Sequence, residues 1–86
     1  MQITVRKPTE EERALLEKQG VWSCGISRFD WYYDREETCL LLEGQVTVTY
    51  DGGSVSFGAG DFVIFPKGLQ CVWDVIKPVR KHYMFR

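Results

Sequence analysis

Histidine is nearly absent from this chain: His82 is the only one in 86 residues. Neutral imidazole binds divalent first-row metals strongly near neutral pH, so a site built on several histidines is excluded. Cysteine is also sparse. Cys24, Cys39 and Cys71 are an odd number and show no Cys-x-x-Cys spacing, which disfavours a zinc knuckle. In a reducing cytosol all three are expected as thiols, and Cys39, inside an apolar run, reads as a small core residue. No stretch of eighteen apolar residues occurs, so no membrane span is expected. Residues Met1 to Arg6 lack the apolar core of a signal peptide, and the expected location is the cytoplasm. Basic excess is missing too. Eleven Lys and Arg meet twelve Asp and Glu, for a net charge of −1, which argues against nucleic acid or an anionic membrane as partner. The one local excess, Lys77, Arg80, Lys81 and Arg86, reads as a solvated strand face.

Large rings are plentiful, with three Trp, four Tyr and five Phe. They suit a compact all-β core with material left for a lined cavity or a dimer face. The length allows one domain, residues 1–86. Residues 1–20 read as an N-terminal strand and helix, and 21–86 as a β-barrel. Ile3 to Val5 is a short strand stopped by Pro8. Thr9-Glu10-Glu11-Glu12 has the form of a capping box, in which the Thr oxygen and the Glu carboxylate satisfy orphan N–H groups. A helix over about 10–18 follows, with Leu15 and Leu16 as its anchors, and ends at Gly20.

Beyond Gly20 the pattern is β throughout. Val21–Ser27, Phe29–Tyr33, Thr38–Glu43, Val46–Tyr50, Ser54–Phe57, Phe62–Phe65, Leu69–Ile76 and Arg80–Phe85 read as strands. Gly44 closes one of them and Pro78 breaks another. Asp51-Gly52 marks a hairpin, since Asp-Gly supplies the positive φ angles such turns need. The count is about nine short strands, the pattern of a sandwich or a barrel, with nothing in the periodicity to choose between them.

Two segments make that choice. Glu37, six residues, then Gly44 is one. Gly60, five residues, Pro66, Lys67 and Gly68 is the other. Together they resemble the two signature motifs of the cupin superfamily. The resemblance implies a small double-stranded β-helix, the RmlC-like jelly roll, with one short N-terminal helix. Where the second motif carries His and Asn, this chain has Cys71 and Val75. Where two His precede the Glu, it has Trp31, Tyr32 and Tyr33. Further segments, Asp30-Trp31-Tyr32-Tyr33 and Lys77-Pro78-Val79-Arg80-Lys81-His82-Tyr83, resemble the short single-domain cupins named after the cupin domain of (S)-ureidoglycine aminohydrolase. That enzyme is manganese-dependent and releases ammonia from ureidoglycine. Of its Glu, two His and Gln ligands, Glu37 alone finds a counterpart here. The resemblance also implies homodimers.

Alternate strand residues share a side. With Glu37 turned inward, as the resemblance implies, the expected cavity lining is Trp31, Tyr33, Glu37, Cys39, Cys71 and Trp73. Catalytic candidates are Glu37, Cys71 and His82. Glu37 serves as an acid or base in a low-dielectric site or as a hydrogen-bonded buried carboxylate. Cys71 serves as a nucleophile if His82 lies near it. No conventional cupin metal is expected. Glu37 and Cys71 are weak candidate ligands, with help from Tyr33 or His82, for manganese, iron, zinc or nickel. Lys81 and Arg80 offer a way to steer an anionic ligand to the barrel mouth. Three functions remain open: a metal-free binder of a small polar or aromatic molecule, a metal-dependent enzyme on nitrogen-rich small molecules, and a filled structural or interaction module. The lost imidazoles and the aromatic lining favour the first.

Overall fold

The computed structural model describes residues 1–86. Seven strands and one helix follow in the order β1 (Thr4–Arg6), α1 (Glu10–Leu16), β2 (Gly20–Cys24), β3 (Ser27–Tyr32), β4 (Glu37–Tyr50), β5 (Gly53–Gly58), β6 (Phe62–Phe65) and β7 (Gln70–Phe85). All strand pairs are antiparallel. The two long strands, β4 and β7, pair along most of their length. Each carries two short strands on its outer edge: β6 and β5 on β4, and β2 and β3 on β7.

The expected nine short strands are therefore seven, because Gly44 and Pro78 do not end strands. They meet instead. The β4–β7 register steps from Glu43↔Arg80 to Gln45↔Lys77, with irregularities on both sides. Gly44 has φ +107°, and a Cβ built there would lie 2.5 Å from the Pro78 carbonyl oxygen. Pro78 has no N–H to give, and a bulge is where a strand tolerates that. The bulge also changes which β4 residues face inward. Before it they are Cys39 and Leu41, and after it Val46 and Val48. Such bulges bend a strand and sharpen its twist, which lets one sheet wrap around its own core.

That core joins inward residues from every large strand: Cys39 and Val48 of β4, Phe57 of β5, Phe65 of β6, and Trp73, Val75 and Val79 of β7. The helix sits on the outside. Its capping box is formed: the Glu12 N–H donates to Thr9 Oγ1 at 3.1 Å, and the Thr9 N–H donates to Glu12 Oε1 at 2.9 Å. Arg6 grips the same carboxylate through both terminal nitrogens and holds its pKa down at about 2. Only Leu16 anchors the helix, against Leu40 and Phe62. Leu15, expected beside it, is exposed, since a seven-residue helix presents one narrow row to the sheet. In the β4–β5 hairpin the left-handed residue is Gly53, at φ +130°, and neither Asp51 nor Gly52 has positive φ. No helix is long and apolar enough to cross a membrane.

Candidate functional site

Glu37 opens β4 and Lys81 lies in β7, with its backbone opposite Leu41. Both side chains point inward and are almost wholly buried, and Lys81 Nζ donates to Glu37 Oε2 at 2.8 Å. Two charges removed from water need each other and further polar partners. Here the ammonium also lies 4.6 Å from the ring centre of Trp73 and 5.0 Å from that of Trp22. Those distances are within cation–π range, where the negative ring faces offset part of the lost hydration. Trp22 reaches this position because β2 pairs Trp22 with Lys81. The two indoles meet edge to face at 6.0 Å.

A cavity of about 220 Å³ opens at this pair. Trp22, Trp31 and Trp73 form part of its wall, and Tyr33, Tyr83 and Phe85 most of the remainder. Tyr33 lies just past β3. Its N–H donates to the Leu69 carbonyl at 2.9 Å, and its ring stacks on Phe65 at 4.8 Å with an interplanar angle of 8°. Burial first, and then the charge of Glu37, push its phenol far above the usual range. Tyr33 therefore stays protonated and carries an O–H that can donate. Trp31 packs on Tyr33 at 6.4 Å and is 46% exposed, so it forms the rim. The Trp73 indole N–H is buried without a partner.

Of the six lining residues expected from sequence, Trp31, Tyr33, Glu37 and Trp73 border the cavity. Cys39 and Cys71 are buried in the core cluster and are absent from the cavity wall. Burial pushes the Cys39 thiol up to about 12, with the Lys81 ammonium pulling it back and Glu37 adding to the rise. Burial and then Glu37 push Cys71 up to about 11. The Cys71 thiol donates to the Trp31 carbonyl at 3.6 Å. His82 lies on the other face of β7, with Nδ1 3.2 Å from the Gln19 carbonyl oxygen. The structure thus forms no Cys71–His82 pair.

These thiols make a direct prediction. Thiolate is the reactive form, so iodoacetamide at pH 8 should modify half-buried Cys24 and leave Cys39 and Cys71 untouched until the protein unfolds. Mass mapping of the alkylated peptides checks this, and early labelling of Cys71 would contradict it.

Lys81 is the correction that matters most. Expected on a solvated strand face, it is 4% exposed and holds the only buried positive charge. Trp22, which reads from sequence as core or as a pocket wall, also lines the cavity, and so do Tyr83 and Phe85, for which the sequence carries no such signal. The signal for Lys81 was present in plain alternation: Cys71, Trp73, Val75, Val79 and Lys81 are all buried, every one at an odd position in β7. The charge of Lys81 concealed it.

The donor set does not fit a transition metal. No three His, Cys, Asp or Glu side chains converge. Glu37 is already neutralised by an ammonium, the nearby thiols are held protonated, and the imidazole is on the opposite face.

Residues 11–83 match the EutQ-like cupin domain family. The chain is a EutQ-like cupin. A protein of the DUF861 family from Thermotoga maritima is 46% identical, and its crystal structure superposes with a TM-score of 0.92 over 99% of this cupin and 100% of that chain. The EutQ protein of Clostridium difficile gives a TM-score of 0.71 at 23% identity, over 96% of this cupin and 66% of that chain, a likeness of fold. In sequence, the acetate kinase EutQ of Clostridioides difficile is 28% identical over 70% of this cupin. The cupin spans 41% of that relative's length. The sheet described above is thus a small cupin β-barrel, with the Glu37–Lys81 pair inside it.

Proposed function

We propose that this cupin binds a small single-ring aromatic or heteroaromatic molecule in the barrel, with no metal taking part. The observation that carries this reading is an ion pair standing inside an aromatic cavity. Ligand pockets are mostly apolar walls with a few placed polar groups, and this one has six aromatic walls and one donor–acceptor pair. The ammonium gives one of its three N–H groups to Glu37 and keeps others for a ligand acceptor. The cavity of about 220 Å³ is smaller than the roughly 300–1,000 Å³ typical for drug-sized ligands, which favours one ring over two.

All three tryptophans of the chain line the cavity, so intrinsic fluorescence reports its occupancy. Titration with a panel of single-ring compounds should give saturable quenching for at least one. The same compound should raise Tm by mass action. Trp31→Ala, at the rim, should weaken its binding about tenfold, the loss of roughly 1.4 kcal/mol. A panel in which no ring saturates, on protein of unchanged Tm, overturns the reading.

A metal-dependent enzyme on nitrogen-rich molecules, similar to ureidoglycine aminohydrolase, needs a divalent ion beside Glu37, where the Lys81 ammonium already stands. The acetate kinase activity is that of the longer relative.

A further inference from the structure

We infer that Lys81 captures small aromatic aldehydes as a reversible imine inside the barrel, with Glu37 moving the protons. This inference rests on the aromatic cavity of the proposed function and adds a covalent step to it. The chain has five lysines. Lys7, Lys18, Lys67 and Lys77 are exposed, and only Lys81 is buried, with Nζ facing a cavity. Imine formation needs three things: an amine with its lone pair free, a group that takes and returns protons at the same atoms, and a place from which water departs. Glu37 Oε2 is 2.8 Å from Nζ, within the reach expected of a proton carrier. Desolvation in an apolar pocket is one way a lysine becomes an imine-forming nucleophile. Trp22 and Trp73 stand over the ammonium at 5.0 and 4.6 Å, so a ring entering the cavity meets aromatic walls while its carbonyl carbon approaches Nζ.

The step balances within the pair. Glu37 takes one proton from the Lys81 ammonium and frees the amine. The amine attacks the carbonyl carbon, a C–N bond forms, and the proton from Glu37 goes to the carbonyl oxygen. Glu37 then removes a second proton from nitrogen and delivers it to the hydroxyl. Water leaves and a protonated imine remains beside the Glu37 carboxylate. One ammonium and one aldehyde become one iminium and one water, with charge unchanged. No oxidant, reductant or metal is required, and the product water leaves past the open rim at Trp31.

The test uses benzaldehyde with the full chain, sodium cyanoborohydride to fix any imine as a benzyl amine, and benzyl alcohol as the ring without a carbonyl. Peptide mapping by mass spectrometry should place the benzyl group on Lys81 at least about tenfold above each exposed lysine, because the cavity raises the effective concentration of the ring at Nζ. Excess benzyl alcohol should suppress labelling at Lys81 and leave the exposed lysines unchanged. Glu37→Gln, on protein shown to be folded, should slow labelling at Lys81 about tenfold. An adduct spread over Lys7, Lys18, Lys67 and Lys77 with Lys81 unmodified overturns the imine. If benzyl alcohol still quenches tryptophan fluorescence in that experiment, ring binding survives and only the covalent step falls. If it quenches nothing and Lys81 is unmodified, both fall.

Discussion

Lys81→Met should destabilise this cupin by roughly 3–5 kcal/mol, the cost of leaving one partner of a buried ion pair without the other. For a domain of this size that lowers Tm by roughly 12–40 °C. Methionine nearly fills the volume of the lysine stem, so the loss reads out the stranded Glu37 carboxylate more than a void. Glu37→Leu should be costly for the mirror reason, since it strands the ammonium between Trp22 and Trp73. The double variant should recover most of the deficit, because well-packed apolar replacements of a buried pair are often neutral. Denaturation in urea of wild type, both single variants and the double variant gives the coupling directly. A loss below about 1 kcal/mol for Lys81→Met would place the pair among solvent-screened ones and would contradict its burial.

Gly44→Ala should cost roughly 2–5 kcal/mol, combining the strain of a side chain at positive φ with overpacking. The added Cβ would lie 2.5 Å from the Pro78 oxygen and 2.7 Å from the Val79 Cα. Both are backbone atoms of the partner strand and have no rotamer to turn away. Gly53 supplies the control. It also has positive φ, at +130°, yet nothing lies within 4 Å of its Cβ position. Gly53→Ala should therefore show the conformational part alone, roughly 1–3 kcal/mol. Equal losses for the two variants would mean that β4 and β7 separate easily at their crossing.

The same crossing explains where the sequence misleads. Gly and Pro are strong punctuation in a strand pattern, and Gly44 and Pro78 were natural places to end strands. In the fold they face each other in one bulge. The fact that cancels both stop signals is a contact between residues thirty-four positions apart (78 minus 44), which no local pattern displays. Local signals with local causes were legible. The capping box at Thr9 and Glu12 and the strand ending at Phe65 appear in the structure, and Glu37 is buried as the cupin resemblance implies. Lys81 was legible by alternation and hidden by the rule that lysine is solvated. Its burial depends on a partner forty-four positions away, Glu37.

The pairing of β4 with β7 also has a consequence in time. Glu37 pairs with Phe85 and Thr49 with Val72, so one edge of β4 has no partner until the last strand has been synthesised. A growing chain on the ribosome holds the apolar run Cys39 to Leu42 with that edge open. Topologies dominated by such distant pairings fold slowly, on the order of milliseconds to seconds, and open strand edges invite association with other chains in the interval. Birth of the protein, more than its mature state, is where chaperone dependence should show.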